Sequence, residues 1–276
     1  LTKKKVNYNQ YFKGLNIKSL KIISAIAIAF SSISLSHANN FNQELRLGIA
    51  DLNDTEDNFF GVGYQHYFKD VELEQNAWEI SPYLQRVDSI NLDYIKIDEV
   101  SRLQISGEVF FQNNWLVRPR FSRVAVDDES NTRIGTDIGQ FIRDNWEVGI
   151  GLDYFKSDAR FDFDENDDFL FSVYTRYTTL EHQSITFKPG WDLELQGTVI
   201  GEDSYLVASA AYYFSPNFSL YGGVTQIDPE YREATTAVNL GTNYWFNRSF
   251  SINFGFGVDV GGDGLRSLDL LASYRF

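Results

Sequence analysis

The chain has 276 residues, 24 Lys plus Arg against 38 Asp plus Glu, a formal net charge of -14, and neither Cys nor Met. Without cysteine there can be no disulfide, thiolate metal site, iron–sulfur cluster or cysteine nucleophile, and a net negative charge repels a phosphate backbone, which speaks against nucleic-acid binding. A mean hydropathy of -0.29 is too polar for a bundle of membrane helices.

The first residues differ in composition from all that follow. Lys3, Lys4, Lys5, Lys13, Lys18 and Lys21 have no acidic counterpart there, the run from Ile22 to Leu35 is apolar but diluted by Ser, and Ser36-His37-Ala38 puts small residues where a signal peptidase reads them. A basic segment, a short apolar core and an A-x-A-like site are the layout of a secretory signal peptide. The apolar run is shorter than the roughly 20 residues a membrane-spanning helix needs. The expected division is therefore a signal peptide over 1–38 and one domain over 39–276. That domain carries 18 basic and 38 acidic side chains, a net charge of -20. It enters a compartment where disulfides are permitted and uses none.

From Gln43 onward, apolar residues alternate with polar or small ones almost to the last residue, the period of half-buried strands. In chain order the apolar faces are Leu45/Leu47/Ile49, Phe60/Val62/Tyr64, Leu103/Ile105/Val109/Phe111, Trp115/Val117/Phe121, Ile134/Ile138/Ile142, Trp146/Val148/Ile150/Leu152, Phe169/Phe171/Val173/Tyr177, Trp191/Leu193/Leu195/Val199, Val238/Leu240/Tyr244/Phe246 and Phe250/Ile252/Phe254/Phe256/Val258. This is an all-β chain.

Alternation fits a soluble sandwich as well as a membrane barrel, so the connections have to decide. One set is very short: Asn113-Asn114, Asp144-Asn145, Ser215-Pro216-Asn217 and Asn247-Arg248. The other is longer and acidic: Asp51 to Asn58, Asp127 to Asn131, Ser157 to Asp168, Asp228 to Glu233 and Gly261 to Gly264. The two sets alternate along the chain, which puts short turns at one end and long loops at the other, as in outer-membrane barrels with periplasmic turns and external loops. Trp115, Trp146, Trp191 and Trp245 all stand close to the short-turn end, the pattern of an aromatic girdle at lipid head-group depth. The last strand places Leu268, Leu270, Ala272, Tyr274 and a final Phe276 on one face. It looks like the terminal-strand signal that Gram-negative outer-membrane proteins present to their insertion machinery.

Over nearly all of 39–276 the chain also resembles an outer-membrane porin family of Gram-negative bacteria. The residues that carry the likeness are Gln43-Glu44-Leu45-Arg46-Leu47-Gly48, Gly61-Val62-Gly63-Tyr64 running into Tyr67-Phe68, and Tyr83-Leu84-Gln85-Arg86-Val87-Asp88-Ser89-Ile90. The resemblance implies a barrel and suggests a pore. Counting strands between turns gives about 14, with 12 and 16 possible and eight excluded. An even number returns both termini to the periplasm. The expected fold is a transmembrane, antiparallel, up-and-down β-barrel. The stretch from Trp78 to Arg86, which holds Pro82 and departs from alternation, is either strand or a packed periplasmic connection.

With the apolar face toward lipid, the opposite face lines the lumen. It brings inward Arg46, Arg102, Arg118, Arg120, Arg133, Arg143, Arg176 and Arg275 with Glu108, Asp137, Glu147, Asp153, Asp192, Glu194 and Asp269, among many glycines that leave space. Such charges either border a water-filled pore or pair into a plug; about 14 strands leave more room than side chains fill. Only His66 and His182 remain beyond the signal peptide, both near the short-turn end, so no catalytic residue is expected. The expected function is a passive diffusion channel of the bacterial outer membrane for small hydrophilic solutes or ions, cation-preferring because the long loops are acidic. The alternative is a structural or adhesive barrel that conducts little. Ser157 to Asp168 is the candidate for an inward-folded constriction, and its Asp162, Asp164, Asp167 and Asp168 are the candidate ligands for Ca²⁺ or Mg²⁺. Expected partners are outer-membrane lipid, lipopolysaccharide, the barrel-insertion machinery and small solutes.

Overall fold

The computed structural model describes residues 40–276 except 53–57, 74–75, 127–128, 158–167, 182–185, 230–232 and 261–264. The expected signal peptide, His182 and the candidate ligands Asp162, Asp164 and Asp167 lie outside the described residues. Fourteen strands follow one another: β1 Asn40–Leu52, β2 Asn58–Glu72, β3 Ser89–Ile97, β4 Val100–Phe110, β5 Trp115–Val126, β6 Glu129–Arg143, β7 Trp146–Ser157, β8 Asp168–Thr178, β9 Gly190–Ile200, β10 Asp203–Ser215, β11 Phe218–Asp228, β12 Thr235–Trp245, β13 Phe250–Val260 and β14 Leu265–Arg275. Each pairs antiparallel with its chain neighbours, and β1 pairs with β14, so the sheet is a closed barrel. Among the described residues no helix is long and apolar enough to cross a membrane.

Closure satisfies every strand edge, the condition for a sheet that sits in hydrocarbon, where an unpaired backbone group has no water to turn to. At the seam the Phe276 N–H donates to the Gln43 carbonyl at 3.1 Å. The N–H groups of Gln43 and Asn42 donate in return to the Phe276 carbonyl at 3.1 and 3.2 Å. The final residue thus lies inside the closing ladder.

The alternation read from the sequence decides which side chains face outward. Ile134, Ile150, Leu152, Phe169, Val173, Leu195, Leu220, Leu240 and Phe254 are all exposed on the outer wall. An apolar surface that runs round the whole circumference is no local patch; it is a face for lipid. Near the end where β1 begins and β14 finishes, here the terminal end, aromatic rings touch in an unbroken series from β9 to β13. The series is Trp191–Tyr212 at 4.8 Å, Tyr212–Phe214 at 4.7 Å, Phe214–Phe218 at 5.5 Å, Phe218–Tyr244 at 6.3 Å, Tyr244–Phe246 at 5.0 Å and Phe246–Phe250 at 5.6 Å. Trp115, Trp146 and Trp191 are exposed on this outer wall.

Trp245 corrects the expectation. Tyr244 and Phe246 are exposed on the outer wall, so the residue between them points inward, and Trp245 is buried, with the Arg275 guanidinium 3.9 Å over its ring. Closeness to a turn located it along the strand but not across the sheet. Arg143 is corrected in the opposite sense: an irregularity in β6 between Phe141 and Arg143 brings Arg143 opposite the outward Trp146, with its guanidinium 6.0 Å from that ring.

The connections follow the expected division less strictly than their alternation suggests. At the far end, Asp98-Glu99 and Gly201-Glu202 are two-residue turns, and Asp98 and Gly201 take the positive φ values of 48° and 55° that such tight reversals need. At the terminal end, residues 73–88 and 179–189 are long. The first of these answers the question left open at Trp78 to Arg86: it is a packed connection, with one short helix, α1 Ser81–Leu84, that has Pro82 in its first turn.

Two outcomes are expected. Deleting Phe276 removes three seam hydrogen bonds and should abolish the heat-modifiable folded band in membrane fractions, read by unheated electrophoresis. Quenching by lipids brominated near the head group should reach Trp115, Trp146 and Trp191 and spare Trp245; equal quenching of all four would contradict its inward placement.

Candidate functional site

Arg143 apart, the residues expected to line a pore stand on the inner wall, but few present a bare charge. Directly opposed residues share a face of the sheet, and the rung Glu147, Arg176, Glu194, Ser209, Gly223, Asn239, Gly257 crosses from a charged half of the wall to a half of small and neutral side chains. On the charged half, Arg118 donates to Glu108 at 2.8 Å and to both oxygens of Glu147 at 2.6 and 3.0 Å. Arg120 donates to Asp137 and Asp153 at 2.5 Å each, and Arg133 to Asp153 at 2.9 Å. Arg176 joins Asp192 at 2.7 Å and Glu194 at 3.1 Å. Arg46 joins Asp93 at 3.1 Å and also Asn91. Arg102, nearer the far end, is exposed and donates to Gln104.

This ladder links five arginines to seven carboxylates, Asp93, Glu108, Asp137, Glu147, Asp153, Asp192 and Glu194. Pairing on this scale is what buried charge requires, since an isolated ion in a low-dielectric wall costs several kcal/mol. The glycines of the wall do not simply leave space. A Cβ at Gly149 would strike the Tyr174 ring, which lies flat there so that its hydroxyl can donate to Glu147 at 2.7 Å. Gly241 and Gly255 likewise make room for the Tyr221 hydroxyl.

The described residues of the connection between β2 and β3 fold into the barrel at the terminal end and form a plug that sequence periodicity did not show. Leu73 and Val87 pack with Phe41 and Tyr67, and Ala77 and Ile80 pack with Leu180 and Tyr213. Tyr83 packs with Leu116 and Phe141, donates its hydroxyl to Glu147 at 3.2 Å and lies 3.6 Å beneath the Arg176 guanidinium. On the opposite wall the Trp78 N–H donates to the Pro216 carbonyl at 2.8 Å, and Glu79 accepts from the Ser219 hydroxyl at 2.9 Å. The plug thus touches the wall from β1 round to β14 and spans the opening.

Arg275 fastens it. This side chain, 3% exposed, pairs with Glu44 of β1 at 2.6 Å, donates to the Trp78 carbonyl at 2.6 Å and lies between the Phe41 and Trp245 rings. Glu79 feels the nearby Arg275 charge, but the hydrogen bonds to its carboxylate come from neutral groups: the Ser219 hydroxyl, the Asn243 amide and the Tyr213 hydroxyl. Burial pushes the Glu79 carboxyl above the usual carboxylate range, and these hydrogen bonds only partly offset it.

A cavity of about 320 Å³ opens on the wall of β1 to β6, lined by Arg46, Gln65, Asn91, Gln104, Glu108 and Arg120 among others. Its polar lining suits water and small hydrophilic solutes. Asp168, the one described member of the expected metal set, opens β8 and accepts from the Phe169 N–H at 2.7 Å. Among the described residues no group of three His, Asp or Glu side chains is arranged to hold a metal ion. His66 faces outward, its ring 5.3 Å from Phe68, away from the lumen.

A closed 14-stranded barrel with an apolar outer wall and a charged inner one has the fold of outer-membrane β-barrel proteins, porins among them. No protein-family model matches the chain, and no curated protein sequence does. Among solved structures, the chain is similar to the Acinetobacter baumannii outer membrane protein Omp33. The TM-score is 0.68 and the identity 14%, covering 86% of this chain and 99% of that one. A bacterial polysaccharide outer membrane secretin matches with a TM-score of 0.52 and 11% identity over 87% of this chain and 99% of its own. The CymD monoaromatic hydrocarbon channel matches at 0.50 and 10%, over 86% and 89%. At these identities the likeness is one of fold.

Removing one partner from a buried ion pair strands the other. Arg118→Ala leaves Glu147, fully buried, with only two tyrosine hydroxyls, and should cost about 3 kcal/mol of barrel stability, read as a lower midpoint of heat-induced unfolding. The double change Arg118→Leu with Glu147→Leu should restore most of that loss.

Proposed function

We propose that the protein is a passive channel of the bacterial outer membrane for small hydrophilic solutes and ions, exported by residues 1–38, with cations preferred. In this reading the terminal end faces the periplasm and the far end the exterior. The observation that carries it is the lumenal wall itself: a polar cavity and a ladder of paired charges stand where a closed core would be apolar. Because carboxylates outnumber arginines in that ladder, the lumen does not oppose the acidic loops, and both favour cation entry.

The plug supports a second reading. A segment that packs on the wall from β1 to β14 is also what a structural barrel of low conductance would carry. The channel reading requires the plug to shift or to leave a passage beside it, and the polar cavity along β1 to β6 is where such a passage would start. The two readings separate in planar bilayers. A channel should give conductance steps that grow larger or longer-lived when residues 76–86 are replaced by a Gly-Ser linker. Silence from both proteins would favour the structural barrel. The reversal potential in a KCl gradient should have the cation-selective sign at low salt and shrink at high salt, where exposed charge is screened.

The plug's seating should depend on pH with a definite sign. Its docked carboxyl, Glu79, binds a proton more readily than a solvated one, so protonation favours the docked state. That contribution is complete below the ordinary carboxylate range and is lost as pH rises through the raised value. Open probability should therefore rise with pH over that window, and Glu79→Gln should flatten the profile. An unchanged profile in the variant would remove Glu79 from the seat.

A further inference from the structure

The chain carries few basic residues, yet three of them face outward at one stretch of the far rim. Lys96 of β3, Arg123 of β5 and Lys156 of β7 are exposed. Each stands on the same face of its strand as lipid-facing neighbours: Leu92 and Tyr94 with Lys96, Phe121 with Arg123, Ile150 and Leu152 with Lys156.

Their register makes them a group. Arg123 is opposed to Thr132 of β6, and Thr132 to Lys156, so these three share one rung. On β3 that rung, continued through Leu103, reaches Tyr94, two residues short of Lys96. Rungs climb toward the far end as strand number rises: the rung that begins at Glu44, early in β1, reaches Ile200, the last residue of β9. The two-residue advance of Lys96 therefore offsets the climb and brings it to the depth of Arg123, with Lys156 slightly farther out. Alternate strands stand about 10 Å apart, so the three charges form one arc. Between them lie outward hydroxyl side chains: Ser101, opposed to Lys96, and Thr132. Arg123 also donates to Ser130.

No outward-facing acid stands among the described strand residues of β3 to β7 at this rim; Asp51 and Asp228 lie on β1 and β11, and Asp98-Glu99 forms the turn beyond Lys96. Cations on a lipid-facing wall are tolerated near the interface and costly deeper in. An acidic protein has little reason to gather its cations there unless something anionic meets them.

We propose that this arc binds the phosphate-bearing headgroup of a glycolipid of the outer leaflet, with Lys96, Arg123 and Lys156 on the phosphates and the hydroxyls of Ser101 and Thr132 on the sugar. The site rests on the outer-membrane orientation given above. Phosphates provide the charge complement, and the residues directly beneath, Tyr94, Phe121 and Tyr154, accept acyl chains.

The test uses the full protein in lipid nanodiscs of phosphatidylethanolamine carrying diphosphorylated lipid A, with retained lipid A measured by native mass spectrometry. At about fivefold per basic residue, the triple variant Lys96→Gln, Arg123→Gln, Lys156→Gln should lose about a hundredfold in lipid A retention. A control neutralising Lys188 and Arg248 at the other end should lose nothing. Lipid A stripped of its phosphates should bind the wild type as weakly as the triple variant binds the intact form. Single substitutions, each expected to lose about fivefold, carry the test if the triple variant does not fold. Unchanged retention in folded variants, or full competition by millimolar inorganic phosphate, would overturn the site. Membrane fractionation keeps the two ideas apart: wild-type protein absent from the outer membrane would sink the orientation, whereas correct location with unaltered lipid A retention would sink the arc alone.

Discussion

Arg275 holds together parts of the molecule that the chain order keeps far apart. A guanidinium offers five donors in a fixed plane, and here they are divided between the Glu44 carboxylate of the first strand and the plug carbonyl of Trp78. Its two faces are covered by Phe41 and Trp245. The residue stands next to Phe276, whose backbone completes the seam. Closing the cylinder and stoppering it are therefore one structural event. In so dry a setting the arrangement holds only as a whole, because losing the carboxylate or the carbonyl leaves a buried cation short of partners.

The inner wall has two characters, and each depends on the other. Arginine and carboxylate side chains from β5 to β9 reach toward one another across strands, and they can lie flat because glycines stand beside them; Tyr174 occupies the space over Gly139 and Gly149. Among the described residues, the opposite wall, rich in serine, glycine and asparagine, has no such ladder. The polar cavity accordingly opens on the charged side, beside Arg46, Arg118 and Arg120.

Much of the barrel was legible in the sequence because a membrane leaves the strands little freedom: every second residue must suit lipid. That rule yielded the strand number, the outward faces and the inward arginines. It failed where something other than lipid set the constraint. Trp245 was misassigned because distance from a turn says how far along a strand a residue sits, and only the flanking Tyr244 and Phe246 say which way it points. Arg143 was misassigned because an irregularity near the strand end, invisible to period-2 reasoning, reverses the faces. The plug was the largest omission. Residues 73–88 show neither period, since their apolar side chains are arranged to meet many different strands. The broken alternation at Pro82 was the signal available, and it could mark a departure without describing one.

The plug belongs to the loop between β2 and β3, and it is bonded to residues of β10, β11, β12 and β14. Its contacts thus reach strands remote in the chain, Glu79 and Ser219 being 140 residues apart. While the barrel is incomplete, nothing exists on that side for the plug to rest against. Joined to β2 at one end and to β3 at the other, the plug is tethered to two neighbouring strands. The barrel thus carries its plug within its own chain, held on one side by the strands that bear it and on the other by strands distant in sequence.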